Sequence, residues 1–217
     1  MLFLHPTHRL VARLAALVLA SVLGACSPLF DWRDVLPEQA PFAIALPGKP
    51  AEMSRNINLD GLPVKMQMVG ARAGGLVFTA AWTNPSTGEQ TKTNEGLAED
   101  APEVNANKAN KANNALAAMQ TGMVNNINGQ ITQQETRNIP LLGPQGNKAG
   151  LLPATFIDVT GQSQGKDMRM QAMFAAIGHE LMQFVVVGES FSAEAANTFF
   201  ESIRGRMRAG AANAEPS

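Results

Sequence analysis

The chain has 217 residues, with 17 Lys and Arg side chains, 18 Asp and Glu side chains and one cysteine. This near balance of charge gives no electrostatic footprint for nucleic acid, which would need a clustered basic face. The length and an apolar fraction of 45% predict one globular domain with tails and argue against a wholly disordered chain. A single cysteine allows no disulfide within the chain.

The N-terminus combines a basic stretch, an apolar run and a small-residue motif. Arg9 and Arg13 precede the ten-residue, mostly apolar run Leu14–Leu23, which is too short for a membrane-spanning helix of about 20 residues. The run ends in Leu23-Gly24-Ala25-Cys26, which resembles the lipobox of bacterial lipoproteins. This resemblance implies that residues 1–25 are a signal peptide and that Cys26 is lipidated. An ordinary secretory signal with an accidental cysteine is the alternative.

The lipobox also implies a location. The mature chain would begin at Cys26, anchored to a membrane on its periplasmic side by its acyl chains. Ser27 favours the outer membrane by analogy, since an aspartate at that position tends to retain lipoproteins in the inner membrane. Residues 26–41 are predicted to be a lipidated tether with a reach of at most about 50 Å. Within it, we expect Phe30 and Trp32 to pack back on the domain; the alternative is that they lie at the lipid interface.

Four strands are predicted after the tether. Alternating apolar residues over 42–46, 52–59, 64–68 and 76–83 indicate half-buried strands. Asp60-Gly61 is typical of a type I′ hairpin turn. We predict that these strands form an antiparallel meander.

A long polar loop and a helix follow. The loop spans 84–103, and its length is typical of a functional or a disordered segment. A helix is predicted over 104–126, because one face carries an apolar stripe at spacings of four, three, four and four residues: Ala112, Leu116, Met119, Met123 and Ile127.

The last elements are strands and a short helix. Strands are predicted over 129–139, 154–160, 168–177 and 180–187, with a tight turn at Gly178-His179. Ser192 predicts the N-cap of a helix whose buried stripe is Ala196, Phe199, Phe200 and Ile203. The domain is therefore assigned to 42–204 and a disordered tail to 205–217. Its fold class is α+β, an antiparallel sheet covered by helices.

Three segments resemble the Mog1/PsbP-like α/β sandwich family: Phe42–Pro50, Phe184–Gly188 and Ala195–Ile203. Cys26 followed by Trp32-Arg33 is also similar to a group of small uncharacterised proteobacterial lipoproteins. The resemblance implies a sandwich fold and a role as a non-catalytic binding or assembly subunit. It provides no catalytic motif.

The residues predict no enzyme, cofactor or metal site. His179 is the only histidine outside the signal peptide, and it has no nucleophile motif beside it. Zinc sites usually need several His and Cys ligands. Four acids near strand ends have no motif around them, and we interpret them as solvated charges: Asp158, Asp167, Glu180 and Glu189.

Four methionines raise the alternative of a Cu(I) site, because soft thioethers bind that ion. They are Met66, Met68, Met168 and Met170, on two strands that would have to be neighbours. Each pair alternates with polar residues, as core positions do. We therefore favour core filling.

Two leucine pairs are the candidate partner surface. Leu141-Leu142 and Leu151-Leu152 flank a Gly- and Pro-rich hairpin, and would form an apolar lip if exposed together. The alternative is that both pairs are strand ends under the first helix. The predicted function is a membrane-anchored periplasmic lipoprotein that binds another envelope component, with a protein as the expected partner. The alternative is a carrier of a small apolar ligand held between sheet and helix.

Overall fold

The computed structural model describes residues 29–59, 62–83, 102–178 and 180–207. Within them lie ten strands and two helices. The strands are β1 (Trp32–Val35), β2 (Phe42–Pro47), β3 (Ala51–Leu59), β4 (Leu62–Ala73), β5 (Leu76–Thr83), β6 (Gln130–Leu142), β7 (Lys148–Ser163), β8 (Lys166–Ile177), β9 (Glu180–Gly188) and β10 (Arg204–Arg206). The helices are α1 (Pro102–Asn125) and α2 (Ala193–Ser202). The predicted signal peptide, Cys26, Ser27, the Asp60-Gly61 turn, residues 84–101, His179 and the tail beyond 207 lie outside the described residues.

The protein is mostly β, built on one curled sheet of ten strands. Their order is β1-β2-β10-β6-β7-β8-β9-β5-β4-β3. Neighbouring strands are antiparallel except β10 and β6, which pair in parallel through Gly205 and Leu141. The sheet is therefore mixed, where a purely antiparallel sheet was predicted.

The predicted meander of four strands is correct for three of them. β3, β4 and β5 pair in succession through short turns. β2 lies near the other end of the sheet instead, between β1 and β10. Alternation in a strand identifies its buried face but carries no information about its neighbour, so the pairing of the first two predicted strands was wrong.

Side chains of this sheet are buried on both faces. In β5, Phe78, Ala80 and Trp82 point into one core, while Ala81 points into the other. The first, the α2-side core, is covered by Phe199 and Phe200 of α2. It is closed further by the curl of the sheet, which packs Phe42 of β2 edge-on against Trp82 and Phe184.

The α1-side core lies on the opposite face. Ala115 and Met119 of α1, with Ile127 just after it, pack on Ile157 and Met170 of the sheet. The apolar stripe predicted for this helix is therefore the face that packs on the sheet. α1 begins two residues before the predicted start and ends one residue before the predicted end.

The second helix has the predicted start and buried stripe. Its N-cap is Ser192, whose Oγ accepts a hydrogen bond of 3.2 Å from the Ala195 amide. Phe199 and Phe200 are buried, with Ile203 just beyond the helix. No helix in the described ranges is long and apolar enough to cross a membrane.

The folded domain extends beyond both predicted limits. β1 lies within residues 26–41, assigned above to the tether, and pairs with β2. Phe30 and Trp32 stack at 6.0 Å, and Trp32 meets Phe78 edge-on at 5.8 Å, so the prediction that they pack on the domain is confirmed. β10 likewise takes Gly205 and Arg206 from the predicted disordered tail. Both strands are too short to show a period, and β10 also pairs with residues distant in sequence.

Trp32→Ala is expected to lower the free energy of unfolding by about 2 kcal/mol. This is less than the 3–5 kcal/mol typical of a fully buried aromatic, because Trp32 is only half-buried. Urea denaturation measures the change. Arg33→Ala, at the exposed neighbouring position, is the control and should change the value by less than about 0.5 kcal/mol. Equal effects of the two substitutions would show that β1 does not contribute to the fold through its aromatic contacts.

Candidate functional site

An open groove lies on the α1 side of the sheet, where the helix does not cover it. α1 packs on β8, β9 and β3. Beyond it, residues of β3, β4 and β5 enclose a groove of about 510 Å³. The apolar part of its lining includes Met53, Met68 and Val77, and Met53 is 53% exposed.

The register of β3 and β4 places these side chains together. The two strands pair over nine consecutive residues without a shift, with Met53 opposite Met68. Side chains on paired residues share a face, so both methionines point into the groove. At Gly70 a Cβ would lie 2.6 Å from the Phe78 carbonyl oxygen and 3.0 Å from Thr79 Cγ2. Glycine at this position therefore permits the close approach of β4 to β5 beneath the groove.

The charged residues lining the groove are mostly basic. Lys49, Arg55 and Arg72 are exposed cations, and Glu52 is the acid beside them. Within the described residues, none of the three cations has an ion pair, whereas Arg33, Arg137, Lys166 and Arg169 each have a carboxylate partner. The groove thus presents an apolar floor with an excess of positive charge around it.

The groove also borders an edge of the sheet. β3 is the last strand in the order, and β4 is its only partner strand in the described part of the chain. An edge strand has backbone N–H and C=O groups on its outer side that another strand is able to pair with.

The two leucine pairs do not form the lip considered from the sequence. Leu152 lies opposite buried Ile139 and packs on the α2-side core, whereas Leu151 lies opposite Pro140 and points to the other face. Leu141 and Leu142 are half-buried beside β10. Leu151 alone of the four is an exposed side chain, at 64%. The alternation of β6 and β7 places the members of each pair on opposite faces.

The four methionines raised as an alternative Cu(I) site do not meet. β4 and β8 are separated by β9 and β5. Met66 and Met170 are buried in the α1-side core, as core filling predicts. The neighbouring strands that a Cu(I) site would have required are therefore absent from the described sheet, because contacts distant in sequence set the order of strands.

One of the four acids interpreted as solvated is buried. Asp158 is 5% exposed and accepts hydrogen bonds from Arg169 Nε at 3.0 Å, from Arg169 Nη2 at 2.6 Å and from Gln171 Nε2 at 2.7 Å. Asp167 and Glu189 have exposed partners, Gln162 and Lys166. The described residues include no group of three His, Cys, Asp or Glu side chains that is able to hold a metal ion.

The partners of Asp158 stabilise its ionised form. Burial raises the pKa of this carboxyl, but the hydrogen bonds from Arg169 and Gln171, the charge of Arg169 and the Val159 amide together outweigh that effect. The net result is a pKa below the ordinary value. Because Asp158 is on β7 and its partners are on β8, the network connects two neighbouring strands. Its geometry is that of a structural ion pair.

Comparison with known proteins gives similarity of structure only. No protein-family model matches the chain, and no curated protein matches it. Cyanobacterial PsbP (CyanoP) from Synechocystis has a TM-score of 0.42 at 8% identity, over 85% of this chain and 99% of that one. A Pseudomonas aeruginosa protein of unknown function has a TM-score of 0.29 at 11% identity, over 73% and 83%. The T6SS immunity protein TplEi of Pseudomonas aeruginosa has a TM-score of 0.32 at 14% identity, over 82% of this chain and 55% of that one. At these values the similarity assigns the chain no family and no function.

Asp158→Asn is expected to lower the free energy of unfolding by about 1–2 kcal/mol at pH 7, less than for a fully buried pair because the Arg169 side chain is 45% exposed. The pKa of Asp158 is lower in the folded state than in the unfolded state. The stability that the ionised carboxylate contributes is therefore complete above the unfolded-state pKa of about 3.9, and it is lost as pH falls through the lower folded-state pKa. Urea denaturation between pH 7 and 3 should show the two proteins converging in acid. Asp167→Asn is the exposed control, and a difference that persisted unchanged at pH 3 would contradict the assignment.

Proposed function

We propose that this chain is a lipid-anchored binding module of the bacterial cell envelope, which holds another envelope protein in the groove between β3 and β5. The anchor is the acylated Cys26, on the periplasmic side and, from Ser27, in the outer membrane. The role is non-catalytic. We also propose that the chain is a member of the Mog1/PsbP-like family, on the basis of the three sequence segments quoted above.

The position of β1 supports a short connection to the membrane. Five residues lie between Cys26 and Trp32, and the six steps from Cys26 to Trp32, at about 3.3 Å each, reach at most about 20 Å. This reach is much shorter than the reach of about 50 Å predicted for the tether. A domain held this close to a bilayer meets other envelope components at a high effective concentration, so that a modest intrinsic affinity is sufficient for association.

The groove is the observation on which the binding function depends. An exposed apolar surface rimmed by charge is typical of a partner site. The space between α1 and the sheet is filled by side chains such as Ile157, Val159 and Met170, which have no exposed surface. A filled core combined with an exposed groove supports a docking module over a carrier with its ligand between sheet and helix.

A carrier of a small apolar ligand is the second candidate, with the groove as its site. The groove volume of about 510 Å³ is within the range of small-molecule sites, about 300–1,000 Å³. Purified protein that retains a small molecule, detected by mass spectrometry, would favour this alternative.

Cys26→Ala should abolish acylation, because the Cys26 Sγ is the atom that would carry the lipid. We expect the variant to be absent from the processed membrane fraction and to be found released or as the uncleaved precursor. Fractionation with mass spectrometry of the N-terminus measures both properties. Cys26→Ala protein that is still cleaved and acylated would contradict the anchor.

A photo-crosslinking residue at position 53 tests the groove in the native envelope. We expect one discrete adduct with an envelope protein, because Met53 is exposed on the groove floor. The matched control is the same residue at position 151, since Leu151 is also an exposed apolar side chain but lies on the β6–β7 hairpin. An adduct from position 151 and none from position 53 would move the binding surface to the hairpin.

A further inference from the structure

We infer that the groove and the β3 edge together bind an extended, acidic segment of the partner protein, which adds a strand to the sheet. This inference rests on the proposed function and names the chemistry of the partner. Three features of the described residues lead to it: the regularity of β3, the position of the groove and the charge around it.

β3 is a long and regular edge. Its nine residues pair with β4 without a bulge, and none of them is proline. Exposed edges are usually protected by short length, proline, bulges or charged side chains, lysine above all; β3 has two charged residues, Glu52 and Arg55, and no lysine. The opposite edge follows that rule, because β1 has only four residues and Pro37 follows shortly after it. A nine-residue edge without a bulge or proline is therefore suited to pairing with an incoming strand.

The groove is positioned to receive side chains from such a strand. An added strand would lie about 4.8 Å from β3, with alternate side chains on the groove side. Met53 and Arg55 project on that side from β3 itself, in register with Met68 and Met66 of β4. In strand addition, backbone hydrogen bonds provide affinity, and pockets for alternate side chains provide specificity. The edge and the groove supply these two parts.

The positive charge around the groove favours an acidic partner segment. Lys49, Arg55 and Arg72 outnumber Glu52 around the groove. Charge complementarity of this kind favours carboxylate side chains on the incoming strand. A second copy of this chain fits less well, because Arg55 is the middle residue of β3, and an antiparallel pair centred there would place two guanidinium groups together.

The test uses the full acylated protein in detergent and a fluorescent peptide, Glu-Thr-Val-Thr-Glu-Thr-Val-Thr-Glu. There are two control peptides. One carries N-methyl groups on alternate backbone amides, and the other has Lys in place of each Glu. Fluorescence anisotropy should show each control binding at least about tenfold more weakly. Arg55→Glu should weaken binding of the parent peptide by about tenfold, whereas Lys148→Glu, on β7 away from the groove, should leave it unchanged. Hydrogen exchange of the β3 amides should slow when the parent peptide is bound.

Each contrary result overturns the inference in a defined way. Equal binding of the N-methylated peptide would exclude strand addition, and equal binding of the Lys peptide would exclude charge selection. Failure of the parent peptide to bind, or self-association through β3, would also overturn it. The crosslink from position 53 decides the proposed function separately, because it reports any envelope protein in the groove, whatever its conformation.

Discussion

Both faces of one sheet have to be covered, and the rest of the structure depends on this constraint. In β5, Ala80 and Trp82 are buried on one face and Ala81 on the other. The α2-side core is closed by α2 and by the curl that brings β2 over the sheet. On the other face, β7 to β3 form six adjacent strands about 24 Å across. A single helix about 10–12 Å wide does not cover that width, so the groove is the part of this face that α1 leaves open.

Local patterns predicted the elements well, because helices and half-buried strands have a periodicity that is readable in the sequence. The alternation of β4 and β5, the stripe of α1 and the Ser192 cap are examples. The arrangement of strands was less predictable. β2 has the same pattern whether β3 or β10 lies beside it, and only contacts between distant residues decide the neighbour. β1 and β10, with four and three residues, are too short to show a period.

The candidate site was missed for the same reason. Its two methionines are adjacent only through the β3–β4 register, and the extent of α1 coverage is a property of the packed domain. A partial signal was present, since Ala51 and Met53 alternate with polar residues while Lys49 and Arg55 lie nearby. Asp158 also had a signal: it interrupts the otherwise apolar run Phe156–Val159. A buried acid within such a run needs a partner for its charge, and Arg169 on the next strand supplies it.

The short N-terminal connection and the open groove are consistent with one physical arrangement. A groove that is open to solvent buries less of a bound segment than an enclosed pocket does, so the intrinsic affinity of this groove for the proposed strand would be modest. The proposed acylation at Cys26 would compensate, because the stacked Phe30 and Trp32 leave only a few residues between the lipid and the fold. Confinement of the domain and its partner to one membrane surface raises their effective concentration without any new contact. If the proposed lipid and the proposed acidic strand are both correct, the lipid and the groove would be two parts of one binding mechanism, and the strand would supply the specificity that membrane confinement alone lacks.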